Sequence, residues 1–170
     1  HCGVSAELIE PNSSDSPRVS ALREVEIGTE ADYPYFQEKG SNQNSTNAYI
    51  LSILSAVSAI YESQVGAMFR VSYQHVWTTS NDPYTTSDPG TLLTQFQNFW
   101  NSNVAPFNRY DVAHLFTATD LTDSVVGLAY LNALCTTSRY GLSQTLESAS
   151  LDTIVFAHEL GHNFGSDHDG

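Results

Sequence analysis

Basic charge is what this sequence most lacks. One lysine, Lys39, and five arginines face nineteen acidic residues, a net charge of −13 over 170 residues. Nucleic acid and anionic membrane surfaces both select basic patches, so neither is expected as a partner. Cysteine is nearly absent: Cys2 and Cys135 are too few for a disulfide framework. Methionine occurs once, at Met68. No internal repeat is present. No uncharged apolar run reaches about 18 residues. The most apolar stretch, Ala48 to Tyr61, is interrupted by Ser52, Ser55 and Ser58, so no membrane span is expected in this segment. The chain begins at His1 with no methionine or signal peptide and stops at Gly170, two residues after His168. Both ends read as cut from a longer precursor. What remains, 170 residues of 41% hydrophobic composition, suffices for one domain with a core.

Residues 1–20 are rich in Ser, Pro and Asp and read as a linker, with 21–170 as the domain. Arg23 to Thr29 alternates, with Val25 and Ile27 on one face, and predicts a first strand. Ile50, Ile53, Leu54, Val57, Ile60 and Tyr61 keep helical spacing, with caps available from Asn44 to Thr46. Phe69, Val71, Tyr73 and Trp77 alternate with polar residues as a half-buried strand. After a loop from Thr78 to Gly90, Asp88-Pro89 caps a helix with the stripe Leu92, Leu93, Phe96, Phe99 and Trp100. Val112 to Thr117 and Val125 to Leu131 are apolar runs of strand length, and Tyr140 to Thr145 is a shorter one. A last helix is predicted from Leu151 to Asn163, capped by Ser148 or Ser150. Strands alternating with helices give an α/β class with a mixed sheet.

The chemistry concentrates at the end, in His158-Glu159-Leu160-Gly161-His162-Asn163-Phe164-Gly165-Ser166-Asp167-His168-Asp169. His158 and His162, four apart on a helix, project from one face and can reach one zinc ion. Leu151, Ile154 and Val155 share that stripe, so the face is expected to point inward. Gly165 tolerates the positive φ that turns the chain back and delivers His168 as a third ligand. Three histidines leave the fourth zinc position open, the mark of a catalytic site. Zinc lowers the pKa of a bound water towards about 7 and polarises a carbonyl. Glu159 is then placed to take the water's proton and pass it to a leaving amine, so the reaction class is amide hydrolysis.

The extended motif resembles that of the metzincin clan of zinc peptidases. Asp169, directly after the third histidine, is similar to the residue typical of the adamalysin/reprolysin (ADAM-like) family. The resemblance runs from about residue 22 to 170. It includes Arg23-Glu24-Val25-Glu26, His114-Leu115-Phe116-Thr117, Val126-Gly127-Leu128-Ala129-Tyr130, Cys135 and Tyr140-Gly141-Leu142-Ser143. It implies a metzincin-like fold: a mixed, mostly parallel twisted sheet, two long helices and an active-site helix. The C-terminal subdomain, with its methionine turn and specificity-pocket wall, would follow residue 170; Met68 lies upstream and is not that methionine. It further implies an endopeptidase, secreted or at the cell surface. A peptide or protein substrate would lie antiparallel along the edge strand Gly127, Leu128, Ala129 and Tyr130. Family calcium sites match Glu26 and Asp111, which are otherwise two surface acids.

The resemblance also bears on Cys2. In the family this sequence resembles, a Cys-Gly-Val segment closing the propeptide supplies a thiolate to the open zinc position and keeps the zymogen latent, which would make Cys2 a switch ligand. About twenty extended residues span roughly 60 Å, enough for Cys2 to reach the metal. A disulfide to Cys135 and a free thiol are the other two readings. His75 and His114 read as strand packing residues, Tyr130 as packing, and Trp77 and Trp100 as core. A catalytically silent binding module of the same fold is the alternative to the enzyme. The intact Glu159 and three histidines favour catalysis over it.

Overall fold

The computed structural model describes residues 22–168. Strand β1 (Arg23–Ala31) opens them, followed by a short helix α1 (Tyr33–Glu38) that the sequence reading passed over. Asp32 starts α1 by accepting the Tyr35 N–H at 2.8 Å, and Pro34 sits in its first turn. The long helix α2 (Gln43–Val65) is capped by Asn42 rather than Asn44 and ends on Gly66 in the left-handed region. It leads into β2 (Ala67–Val76). Helix α3 (Pro89–Asn103) starts as its Asp88-Pro89 predicts, with Asp88 Oδ1 accepting the Thr91 N–H at 2.8 Å. Strands β3 (Val112–Thr117), β4 (Gly127–Ala129) and β5 (Tyr140–Gln144) precede the final helix α4 (Ala149–Asn163).

The five strands order as β2-β1-β3-β5-β4, all parallel except β4, which runs antiparallel to β5 at the edge. Helices α2 and α4 cover one face and α3 the other, so β3 is buried along its whole length. Its alternation divides the core: Val112 and Phe116 pack with α2 and α4, whereas Ala113 and Leu115 pack with α3. This is the α/β architecture that the metzincin resemblance implies.

Three expectations need correcting. Of the run Val125 to Leu131 only Gly127–Ala129 is strand, flanked by single backbone bonds from Gln144 to Val126 and from Tyr130 to Tyr140; a short 3-10 turn at Thr122–Ser124 precedes it and a loop follows. Helix α2 starts well before Ala48 and spans 23 residues, so by length and composition it is long and apolar enough to cross a membrane despite its serines. Here its face of Ile50, Ile53, Leu54, Val57 and Tyr61 is buried in the core. Trp77 is only half-buried, while Trp100 is fully enclosed. The sole lysine is an internal staple: Lys39 Nζ donates to Thr145 Oγ1 at 3.0 Å and lies 4.3 Å from the Tyr49 ring centroid.

Candidate metal centre and cleft

Helix α4 is amphipathic, but its faces are not disposed as its sequence suggests. Asp152, Val155, Phe156, Glu159, Leu160 and Asn163 are buried against the sheet. Leu151 and Ile154 are 47% and 63% exposed, so the stripe they share with His158 faces outward. The histidines therefore stand at the rim of a surface cleft, and the core is held by the neighbouring stripe.

The end of α4 explains how the third histidine arrives. Gly165 adopts φ +98°, its N–H donates to the His162 carbonyl at 2.9 Å, and the Ser166 N–H donates to the Gly161 carbonyl at 2.9 Å. This paired closure reverses the chain and needs a residue without a Cβ at the left-handed position. His168 is thereby brought back over the helix. The Nε2 atoms of His158, His162 and His168 lie 3.0, 3.0 and 3.1 Å apart. A tetrahedral zinc with bonds of about 2.0–2.1 Å separates its ligand atoms by roughly 3.3–3.4 Å, so the triad fits such an ion closely. The tautomer fits as well. His162 Nδ1 lies 2.7 Å from the Ser166 carbonyl oxygen, which can only accept, so the proton is on Nδ1 and the Nε2 lone pair faces the centre. Among the described residues, these three are the group of His, Cys, Asp or Glu side chains close enough to hold a metal. The three rings also hold the His158 pKa below its usual value, through partial desolvation first and then the charges of His162 and His168.

Glu159 points the other way, into the gap between α4 and β4. It is 5% exposed, and no described donor hydrogen-bonds its carboxylate. Burial pushes its pKa up to about 7, opposed only by the nearby His162. Together with Val125 to Ala129, Leu131, Asp167 and the three histidines, it lines a cleft of about 420 Å³. The edge strand thus forms one wall and the triad the other.

A model of the M12B reprolysin-like metallopeptidases matches residues 47–169, most of the chain and the whole of this centre. The chain belongs to that family. Members of this metallopeptidase family use zinc, and the triad is built to take it. The chain is also similar to disintegrin and metalloproteinase domain-containing protein 19. It is 28% identical to the mouse protein over 94% of this chain and 29% to the human protein over 89%. It spans only 17% and 16% of those relatives' lengths. A chain in the solved structure of a chaperone–substrate complex shares the fold over 88% of this chain and 24% of its own, with a TM-score of 0.69 at 12% identity.

Other expected site residues of this reprolysin-like chain fare differently. Glu26 and Asp111 do come together, since Asp111 Oδ2 accepts the Glu26 N–H at 2.9 Å. The Glu26 carboxylate, however, is ion-paired with Arg70, whose guanidinium already supplies the positive charge a calcium ion would bring. The calcium reading is not supported. His75 Nδ1 lies 3.6 Å from the Glu30 carboxylate, and His114 is wholly buried with Nε2 3.0 Å from Ser143 Oγ. Neither belongs to the histidine group that could hold a metal. Tyr130 donates its hydroxyl to Gln97 at 2.8 Å and does not face the cleft as a free donor. Cys135 is disulfide-bonded, while Cys2 and Asp169 lie outside the described residues.

The sequence reading missed the residues that lock the edge strand to helix α4. Asn163, next to His162, is completely buried and donates Nδ2 to the carbonyls of Tyr130 at 2.9 Å and Tyr140 at 3.2 Å. In return the N–H groups of Asn132 and Ala133 donate to the last helical carbonyls, of His162 and Asn163, at 2.8 and 2.9 Å. These bonds satisfy orphan acceptors of the helix end. The available signal was an asparagine four residues after Glu159, on the inward stripe of a helix, where such a residue is otherwise unfavourable.

Proposed function

We propose that this protein is a zinc-dependent endopeptidase in which His158, His162 and His168 hold the metal and Glu159 is the general base. The observation that carries this reading is the convergence of three Nε2 atoms within 3.1 Å beside a buried, unpaired carboxylate and an open strand edge. Bound zinc would acidify a water and polarise the scissile carbonyl. Glu159 accepts the water's proton and hands it to the departing amine.

The strand register supports a peptide held along the sheet edge. The Tyr130 N–H donates to Tyr140 and the Gln144 N–H to Val126, so Val126, Leu128 and Tyr130 direct their backbone groups to β5. Gly127 and Ala129 therefore direct theirs outward, along the cleft. A substrate strand adds there by backbone bonds, with selectivity left to alternate side chains. We assign residues 21–170 to the N-terminal part of a catalytic domain and residues 1–20 to the end of a propeptide or linker. The protein acts at the cell surface or after secretion. A Cys2 thiolate at the metal and a Cys2 disulfide use the same sulfur and exclude each other, so thiol titration of the intact precursor separates a latent zymogen from a constitutive disulfide.

The direct test is Glu159→Ala in the full-length protein, assayed for metal content and for cleavage of a quenched peptide. One zinc per chain is retained and turnover falls by about 10²–10⁴-fold. Undiminished turnover would assign the base elsewhere.

A further inference from the structure

The edge strand carries a glycine whose backbone does not require one. Gly127 is absent from the residues with positive φ, unlike Gly40, Gly66 and Gly165, so its conformation is open to any residue. The constraint is space. A Cβ at this position would lie 2.6 Å from Glu159 Oε1, 2.7 Å from its Cγ and 2.8 Å from its Cδ. Favourable carbon contacts begin near 3.5 Å, so all three approaches are repulsive.

We propose that Gly127 is a positioning residue: the bare face of the edge strand is the seat against which the Glu159 side chain rests. This rests on the reading of Glu159 as general base. Because the contact involves Cγ as well as the carboxylate, rotating the terminal group does not relieve it. A side chain at 127 must either swing the whole glutamate to another χ1 well or separate β4 from α4. Neither is local. The first moves the base, and the second moves the strand away from the ligand helix.

The placement couples two tasks. Gly127 directs its N–H and C=O outward to a bound peptide, and its Cα face inward to the base. One residue thus sets the distance between the substrate backbone and the carboxylate that serves it. Glu159 has no hydrogen bond from a described donor to orient it, so packing against Gly127 is what limits its position. A catalytic group displaced by about 1 Å can lose on the order of 100-fold in rate.

The experiment is a double-mutant cycle in the full-length protein with Gly127→Ala, Glu159→Ala and the pair, read by thermal unfolding and metal content, with kinetics on Gly127→Ala. Gly127→Ala is expected to lower the unfolding midpoint when Glu159 is present and to cost little when residue 159 is alanine. It is also expected to lower kcat by on the order of 10–100-fold with a smaller change in KM and one zinc per chain. Additive stability effects, or a Gly127→Ala enzyme with wild-type kcat, would overturn the seat. The stability cycle does not depend on catalysis. Coupling in a protein that never cleaves peptides would refute the peptidase reading and keep the contact, and an active enzyme without coupling would do the reverse.

Discussion

Two buried glutamates occupy opposite ends of this molecule's chemistry. Glu30, in strand β1, is fully enclosed and accepts from the indole N–H of Trp77 at 2.6 Å, the indole N–H of Trp100 and the hydroxyl of Tyr84. Glu159, nearly as buried, has no hydrogen-bond donor among the described residues. The first carboxylate gathers a strand, a loop and a helix around itself. The second has no such donors and instead borders the cleft beside the histidine triad. Burying a charge costs heavily unless donors satisfy it, so the same side chain stabilises in one place and stores cost in the other. An unsatisfied buried carboxylate in a cleft is better placed for proton transfer than for structure.

The largest effect expected is at the structural member of the pair. Glu30→Ala strips the acceptor from two indoles and a phenol and should cost about 3–5 kcal/mol in urea unfolding. Glu159→Ala in the metal-free protein should leave stability unchanged or raise it. Equal losses at the two sites would erase the contrast. A smaller effect is expected at Asn163, which joins the two walls of the cleft. Asn163→Ala should cost about 1–3 kcal/mol and speed amide exchange in residues 127–131. Asn163→Asp should do worse, because it aims a carboxylate at the Tyr130 and Tyr140 carbonyls. Unaltered exchange in β4 would show that the edge strand is held without the clamp.

The smallest effect is a pH dependence. Burial lowers the His114 pKa to about 3, against about 6.5 when unfolded, so the unfolded chain binds more protons between these values. The His114 contribution to stability is complete above pH 6.5 and declines as pH falls, by about 1–2 kcal/mol by pH 5, against the opposite trend of the raised carboxyls of Asp32 and Glu159. His114→Gln should flatten that slope in a series of unfolding curves. An unchanged slope would place the titration at another group.

Much of this was legible in the residues. Periodicity alone locates β1, α2, α3 and β3, because each buries one stripe or two alternating faces against neighbours. The spacing of His158, His162 and Gly165 dictates a helix, a stop and a reversal, since 3.6-residue periodicity and positive φ are local properties of the chain. The triad follows from them. The outward direction of Leu151 and Ile154 was not legible, because a helix with apolar residues on adjoining stripes does not say which stripe meets the sheet. Nor was the extent of β4, which depends on where β5 can pair with it. The tertiary structure alone placed Gly127 against Glu159, Asn163 under the edge strand and Arg70 on Glu26. These contacts join residues 32 to 44 positions apart, and no local pattern encodes which distant residue arrives. The histidine triad was therefore set by sequence spacing, whereas the position of Glu159 and the hold on the edge strand were decided by the packing of one helix against one sheet edge.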